Sequence, residues 1–309
     1  MSASDRKRLL LVVNPYATNV SDTITADVVH RLRAGYDVQV VTTEARGHAI
    51  ELGRAATGID LVVALGGDGT VNEIVNGIVG LGIPLSALPG GSTNVICRTL
   101  GIPRQIGPAT QHLLRRADDF APRPIDLGTV NGRRFVFACG AGLDATTARR
   151  VEARPELKSR FGPFFFTYAA ITGFLGEYMG DKVRLRIMAG GREIDGVTAV
   201  VQNSSPFTYF QGVPVQLSKD VALDDGSLAV IVLRRASPVD VPFLMGRVLV
   251  DRLGGARSHR HVDELRDITS ARIVSTGLLP FAVQVDGDYI GDFTELDLGI
   301  ERKALSVIA

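Results

Sequence analysis

The stretch Leu61-Val62-Val63-Ala64-Leu65-Gly66-Gly67-Asp68-Gly69-Thr70-Val71-Asn72-Glu73 decides the fold of this 309-residue chain. Its unbroken apolar opening reads as a strand buried on both faces of a parallel sheet. The strand runs into glycines, an aspartate and a threonine. Val71, Ile74, Val75, Ile78 and Val79 then recur at helical spacing. A glycine-rich loop between the carboxyl end of a strand and the start of a helix is where open α/β sheets bind phosphate-bearing ligands. Glycines let the backbone approach phosphates and supply N–H donors. Asp68 would repel a phosphate unless a cation stood between them. The loop therefore points to a nucleotide with Mg2+ and away from a dinucleotide redox fold, whose fingerprint follows no strand here.

Outward from this unit the pattern repeats. Residues 9–13 read as a strand, and Asn14-Pro15 opens a loop. Ser21 reads as the N-cap of a helix carrying Ile24, Val28 and Leu32, with Gly35 as its stop. Residues 38–42 form the next expected strand, 47–56 a short helix and 84–88 a strand. A second glycine-rich loop follows, Pro89-Gly90-Gly91-Ser92-Thr93-Asn94. Repeated strand–helix units predict a doubly wound parallel sheet with loops 14–18, 66–73 and 89–94 at one edge. The texture changes after Pro122-Arg123-Pro124. Alternating segments at 133–138, 183–188, 197–201, 227–233, 271–274 and 281–285 are separated by turn residues such as Gly190-Gly191 and Asp286-Gly287. They predict an antiparallel β domain starting near residue 127, with helical insertions near 163–179 and 238–253.

Composition narrows the function. A net charge of +1 gives no electrostatic case for a nucleic-acid partner. Two cysteines are too few for a disulfide framework or a metal knuckle and fit a reduced, cytoplasmic setting. The apolar run 9–13 is too short for a signal sequence. The longer run 161–175 contains Gly162, Pro163 and Gly173 and falls short of the ~20 residues a membrane span needs. Any membrane contact is expected to be peripheral.

Several residues admit two readings. Asp68 either orients Mg2+, directly or through water, or caps its own helix. Thr70 either donates to phosphate or is an ordinary first-turn threonine. Glu73 either contacts a nucleotide or complements a helix amino terminus. Ser92 is a phosphate donor or a turn residue, and Asp126 orders a metal–water network or makes a turn. Asp286-Gly287 is a strong hairpin-turn signal. The aromatic run 161–166 is core or a lipid mouth. Two basic clusters, Arg149, Arg150, Arg154, Lys158 and Arg160, and Arg257, His259, Arg260 and His261, are solvated faces or contacts for anionic headgroups.

In combination, GGDGTVNE at 66–73, PGGSTN at 89–94 and VDGD at 285–288 resemble the bacterial diacylglycerol kinase and sphingosine kinase family of lipid kinases. Asn14-Pro15, residues 125–128, 140–145 and 223–226 fit the same order. GGDGT alone is also similar to NAD kinases. The resemblance implies an α/β nucleotide domain over 1–127, completed by a strand at about 300–309, and a β-sandwich lipid-binding domain over 128–299. It implies ATP and Mg2+ as cofactors. Asn14, Pro15, Tyr16, Ala17, Thr18, Thr43, Gly67, Asp68, Gly69, Thr70, Val71, Asn72, Glu73 and Ser92 would contact the nucleotide. Asp288 would be the general base, with Asp68 as its catalytic counterpart on the metal. Ala222, Asp225 and Ser227 would hold a structural metal. The expected activity is phosphorylation of a lipid hydroxyl, diacylglycerol to phosphatidic acid. The expected partners are a lipid at a membrane surface, with no nucleic acid, and a second copy in a homodimer. The expected location is the cytoplasm, peripheral at the inner membrane face. Three departures stand out: Ala17-Thr18 replaces Ser-Gly, Val95 replaces a carboxylate, and Asp288 replaces Glu. They motivate the alternative of a catalytically weak lipid- or nucleotide-binding regulator.

Overall fold

The computed structural model of the protein describes residues 6–142, 145, 184–210, 212–235, 260–277 and 279–309. The expected helical insertions near 163–179 and 238–253, the aromatic run 161–166, the first basic cluster, and Arg257 and His259 lie outside the described residues. The chain divides into two compact units, Met1–Leu127 with Arg302–Ala309, and Gly128–Glu301.

The first unit alternates strand and helix: β1 (Lys7–Val13), α1 (Asp22–Leu32), β2 (Tyr36–Thr42), α2 (His48–Arg54), β3 (Leu61–Gly66), α3 (Asp68–Ile78), β4 (Leu85–Pro89), α4 (Val95–Thr99), α5 (Ile106–Arg115) and the start of β5 (Arg123–Val130). The strands lie in the order β2-β1-β3-β4, all parallel. Every residue of β3 is buried, as an unbroken apolar run requires in a sheet covered on both faces. Ser21 caps α1, its side chain accepting from the Ile24 amide at 3.3 Å. Helix α3 buries Val71, Ile74, Val75 and Ile78. Burial of each such side chain contributes about 1.5–3 kcal/mol. The final residues return to this sheet, with Val307 registered beside Leu85 in parallel and the Ile308 amide donating to Leu85 O at 2.9 Å.

The second unit is two sheets of mostly antiparallel strands. They are built from β6 (Arg133–Phe135), β7 (Ala138–Gly142), β8 (Leu185–Ala189), β9 (Arg192–Gly196), β10 (Thr198–Gln202), β11 (Thr208–Phe210), β12 (Val213–Val215), β13 (Leu228–Leu233), β14 (Val262–Ile268), β15 (Ser270–Ser275), β16 (Phe281–Val285), β17 (Asp288–Phe293) and β18 (Glu295–Val307). One sheet runs β14-β13-β10-β7-β16-β17. The other carries β9-β8-β15 against the first part of β18. A separate β11–β12 hairpin stands apart. Leu185, Ile187, Ile273 and Leu296 from one sheet and Ala199, Val230, Phe281 and Val283 from the other share one core. This is a β-sandwich arrangement. The parallel sheet and the antiparallel sandwich expected from the sequence are both present. No helix among the described residues is long and apolar enough to cross a membrane.

Two strands expected as one are distinct: residues 133–138 break into β6 and β7 because the chain turns there to wrap a buried carboxylate, described below. Gly128 on β5 lies directly opposite Phe135 on β6. A Cβ on Gly128 would fall 2.1 Å from the Phe135 ring, which is fully buried. Gly128→Ala is therefore expected to destabilise the second unit by about 3 kcal/mol. A urea-denaturation midpoint equal to wild type would show that the ring is not held against this glycine.

Candidate functional site

In the first unit, β1 to β4 end at one edge, and hydrogen bonding continues beyond their ends. Thr43 N donates to Val13 O at 2.8 Å, Asn14 N to Leu65 O at 2.9 Å, and Gly90 N to Gly66 O at 2.8 Å. The strand order 2-1-3-4 places the switch point between β1 and β3, where the following loops diverge and open a crevice. Asn14 sits at that point. Its Nδ2 donates to Thr70 Oγ1 at 2.9 Å, and its Oδ1 accepts from Tyr16 N at 3.0 Å. Pro15, Tyr16 and Thr18 are exposed, while Thr43 is buried. The fold thus gathers Asn14 to Thr18, Thr43, Gly67 to Glu73 and Ser92 at one sheet edge.

The two glycine-rich loops press on one another. Gly91 N also donates to Gly66 O, at 3.2 Å. A Cβ on Gly91 would lie 2.7 Å from Gly67 Cα, and one on Gly90 would lie 2.9 Å from Gly66 Cα. These glycines serve loop-on-loop packing. Gly67 differs: a Cβ there would meet its nearest neighbour at 3.5 Å, an ordinary contact. Packing within the protein does not require glycine at 67, the N-cap of α3, and its backbone is open to close approach.

Asp68 is the first residue of α3, yet it caps a different helix. Its Oδ2 accepts from Val95 N at 3.0 Å and its Oδ1 from Ile96 N at 2.9 Å, the first amides of α4. Asn94, the N-cap of α4, has φ 51° and makes no side-chain cap. Its amide group instead closes the glycine loop, accepting from Gly91 N at 2.8 Å and donating to Gly91 O at 2.7 Å. Asn19 adds a second donor to Gly91 O at 2.7 Å. Val95 is buried, so apolar packing fills the position at which a carboxylate was expected. Burial, and after it the Asp68 charge, push the Cys97 thiol up, so Cys97 is a neutral core side chain.

The remaining residues of the motif have structural roles. Both oxygens of Glu73 hold the start of α2, accepting from Gly47 N at 2.8 Å and Ala49 N at 3.2 Å. Val71 and Asn72 are buried, backbone included, so neither offers surface to a ligand. Ser92 is exposed. Asp126 is buried in β5 rather than in a turn, and accepts from Lys303 N at 2.7 Å.

In the second unit, Asp286 (φ 49°) and Gly287 (φ 89°) form a two-residue hairpin turn between the paired residues Val285 and Asp288. Asp286 is buried, and its carboxylate accepts from Val136 N, Phe137 N and Ala138 N at 2.8, 2.9 and 3.1 Å. Asp288 is half-buried at the start of β17. Of the two aspartates, Asp288 is the one accessible for chemistry.

The turn of Ala222, Asp225 and Ser227 closes on itself. Asp225 Oδ2 accepts from Ala222 N at 2.9 Å, and Oδ1 accepts from Ser227 N at 2.8 Å and Ser227 Oγ at 3.1 Å. It precedes β13, four strand spacings from β17, or about 19 Å. Asp225 and Asp288 therefore cannot share one ion. Among the described residues, no three His, Cys, Asp or Glu side chains form a metal cluster.

Sequence reasoning passed over Asn19, Asn94 and Gln284. Gln284 had a visible signal, as the one polar residue in the segment 281–285. Asn94 stood in the PGGSTN motif with no role assigned to it, and Asn19 had no signal beyond its place in a loop.

Residues 8–130 match the family of the diacylglycerol kinase catalytic domain. A diacylglycerol kinase of Staphylococcus aureus strain RF122 is 28% identical over 313 residues, spanning 96% of this chain and 91% of the relative. A diacylglycerol kinase of Bacillus subtilis strain 168 is 29% identical over 240 residues, 75% of each chain. The crystal structure of a diacylglycerol kinase from Bacillus anthracis strain Sterne shares the fold with a TM-score of 0.74 at 23% identity, covering 98% of this chain and 97% of the other. The likeness read from the motifs is borne out.

The packing at the two loops separates its glycines. Gly91→Ala is expected to cost about 2 kcal/mol through its clash with Gly67. Gly67→Ala is expected to cost less than about 1 kcal/mol, a helix-start effect alone. Equal losses for the two in thermal or urea unfolding would refute the distinction.

Proposed function

We propose that the protein is an ATP- and Mg2+-dependent kinase that phosphorylates a lipid hydroxyl, with diacylglycerol as acceptor and phosphatidic acid as product. The observation that carries this reading is the loop edge of the parallel sheet, Asn14, Thr43, Gly67–Thr70 and Ser92, lying within the segment that matches the diacylglycerol kinase catalytic domain. A glycine at 67 that packing does not demand supports close approach of a phosphate. The acceptor class implies work at a membrane surface.

Phosphoryl transfer needs placement, charge stabilisation and a base. The amides at the amino terminus of α3 suit the nucleotide phosphates. Mg2+, when bound, would supply neutralisation of phosphate charge. Asp68, whose carboxylate takes the Val95 and Ile96 amides, would be oriented by them toward the metal's water shell. Asp288 would take the proton of the lipid hydroxyl as that oxygen attacks the γ-phosphorus. The bond from that phosphorus to the β–γ bridging oxygen breaks and ADP leaves. No step is assigned to Ala222, Asp225 and Ser227, whose carboxylate is engaged by its own turn.

Incubation with γ-labelled ATP, Mg2+ and a total lipid extract, with the product identified by mass, tests the reading. Labelled phosphatidic acid is the expected result. No labelled lipid in any fraction would end it, and tight nucleotide binding without turnover would favour a regulator. Asp288→Ala should lower kcat at least about 100-fold with the unfolding midpoint unchanged. Gly67→Ala should raise the KM for ATP by about tenfold or more while the protein stays folded.

A further inference from the structure

Strand β16 is buried at every position, and Gln284 is 2% exposed on the sheet face opposite Val283 and Val285, which enter the sandwich core. A buried primary amide gives up its hydration and is unfavourable unless it is hydrogen-bonded. A methionine would fill the same space without that cost. The amide oxygen, Gln284 Oε1, accepts from Gly287 N at 2.7 Å. Gly287 directly precedes Asp288, so the strand reaches forward to hold the turn that carries the reactive side chain.

The same turn is held from the neighbouring strand. Asp286 N donates to Ala138 O at 2.8 Å, while the Asp286 carboxylate takes the three amides of 136–138. That segment is in turn fixed by buried Asn203, just beyond β10. Asn203 N donates to Phe137 O and its Nδ2 to Val136 O, each at 2.9 Å. Two buried amide side chains thus fix the backbone on which Asp288 starts.

We propose that Gln284, supported through segment 136–138 by Asn203, is a positioning residue that sets where the Asp288 carboxylate sits. This rests on the reading of Asp288 as the base. A misplacement of ~1 Å at a reacting group can cost about 100-fold in rate, so a turn held at each of its residues has chemical value beyond folding.

Gln284→Met removes the acceptor and keeps the volume. Its kcat on diacylglycerol should fall at least about tenfold while the KM for ATP changes by less than about twofold, with a Tm equal to or above wild type. In the Asp288→Ala background, Gln284→Met should leave the residual rate unchanged, because its effect runs through the missing carboxylate. A Gln284→Met enzyme turning over within about threefold of wild type would overturn the proposal. So would a fall in kcat accompanied by a lowered Tm, or losses that multiply in the double variant. If Asp288→Ala itself keeps wild-type turnover, the reading of the base falls. If Asp288→Ala is inactive and Gln284→Met is not, only the positioning role falls.

Discussion

The carboxylate of Asp68 on the first amides of α4 is the contact on which the loop edge of the first unit depends. A helix of five residues with a left-handed N-cap has no local acceptor for its leading N–H groups. Asp68 supplies it from the neighbouring strand–helix unit, and so ties the two glycine-rich loops together. Once tied, the loops approach closely enough that Gly90 and Gly91 can carry no side chain. The Asn94 side chain is released from capping to close the loop it ends. A single charge-assisted clasp therefore sets loop spacing, glycine content and the start of a helix.

The same device recurs. Glu73 closes the start of α2, Asp126 receives Lys303 N, and Asp286 receives three successive amides. In each case a carboxylate organises backbone rather than meeting a lysine or arginine in these contacts. Amides satisfy carboxylate lone pairs without bringing a formal charge, and each contact fixes the backbone that donates it.

Much of the fold was legible because it rests on local signals. The unbroken run 61–65, the glycines after it and the helical recurrence from Val71 predicted β3, its loop and α3 directly. Ser21 announced α1 by its residue type. The partners of the key carboxylates were not legible, since Asp68 reaches 27 residues along the chain, Asp286 reaches 150 and Asp126 reaches 177. No period or propensity reports a contact at such separation. Asp68 was read as a ligand or a cap to its own helix, and the fold makes it the cap of another. The short strand β9 and the full length of β18 also escaped notice. The polar Arg192–Gly196 has a weak apolar rhythm, and β18 carries a left-handed Lys303 that interrupts its alternation.

The last strand has a consequence for how the protein is made. Residues Arg302–Ala309 belong to the same compact unit as Met1–Leu127. On the ribosome, the β4 edge waits for its neighbour until the whole sandwich has been synthesised. The sandwich is a continuous segment and can mature in order of emergence, whereas the earlier-made unit is finished last. The parallel-sheet unit is then sealed only on a chain whose sandwich has already been made, so a chain truncated within the sandwich would also lack the closing strand of the first unit.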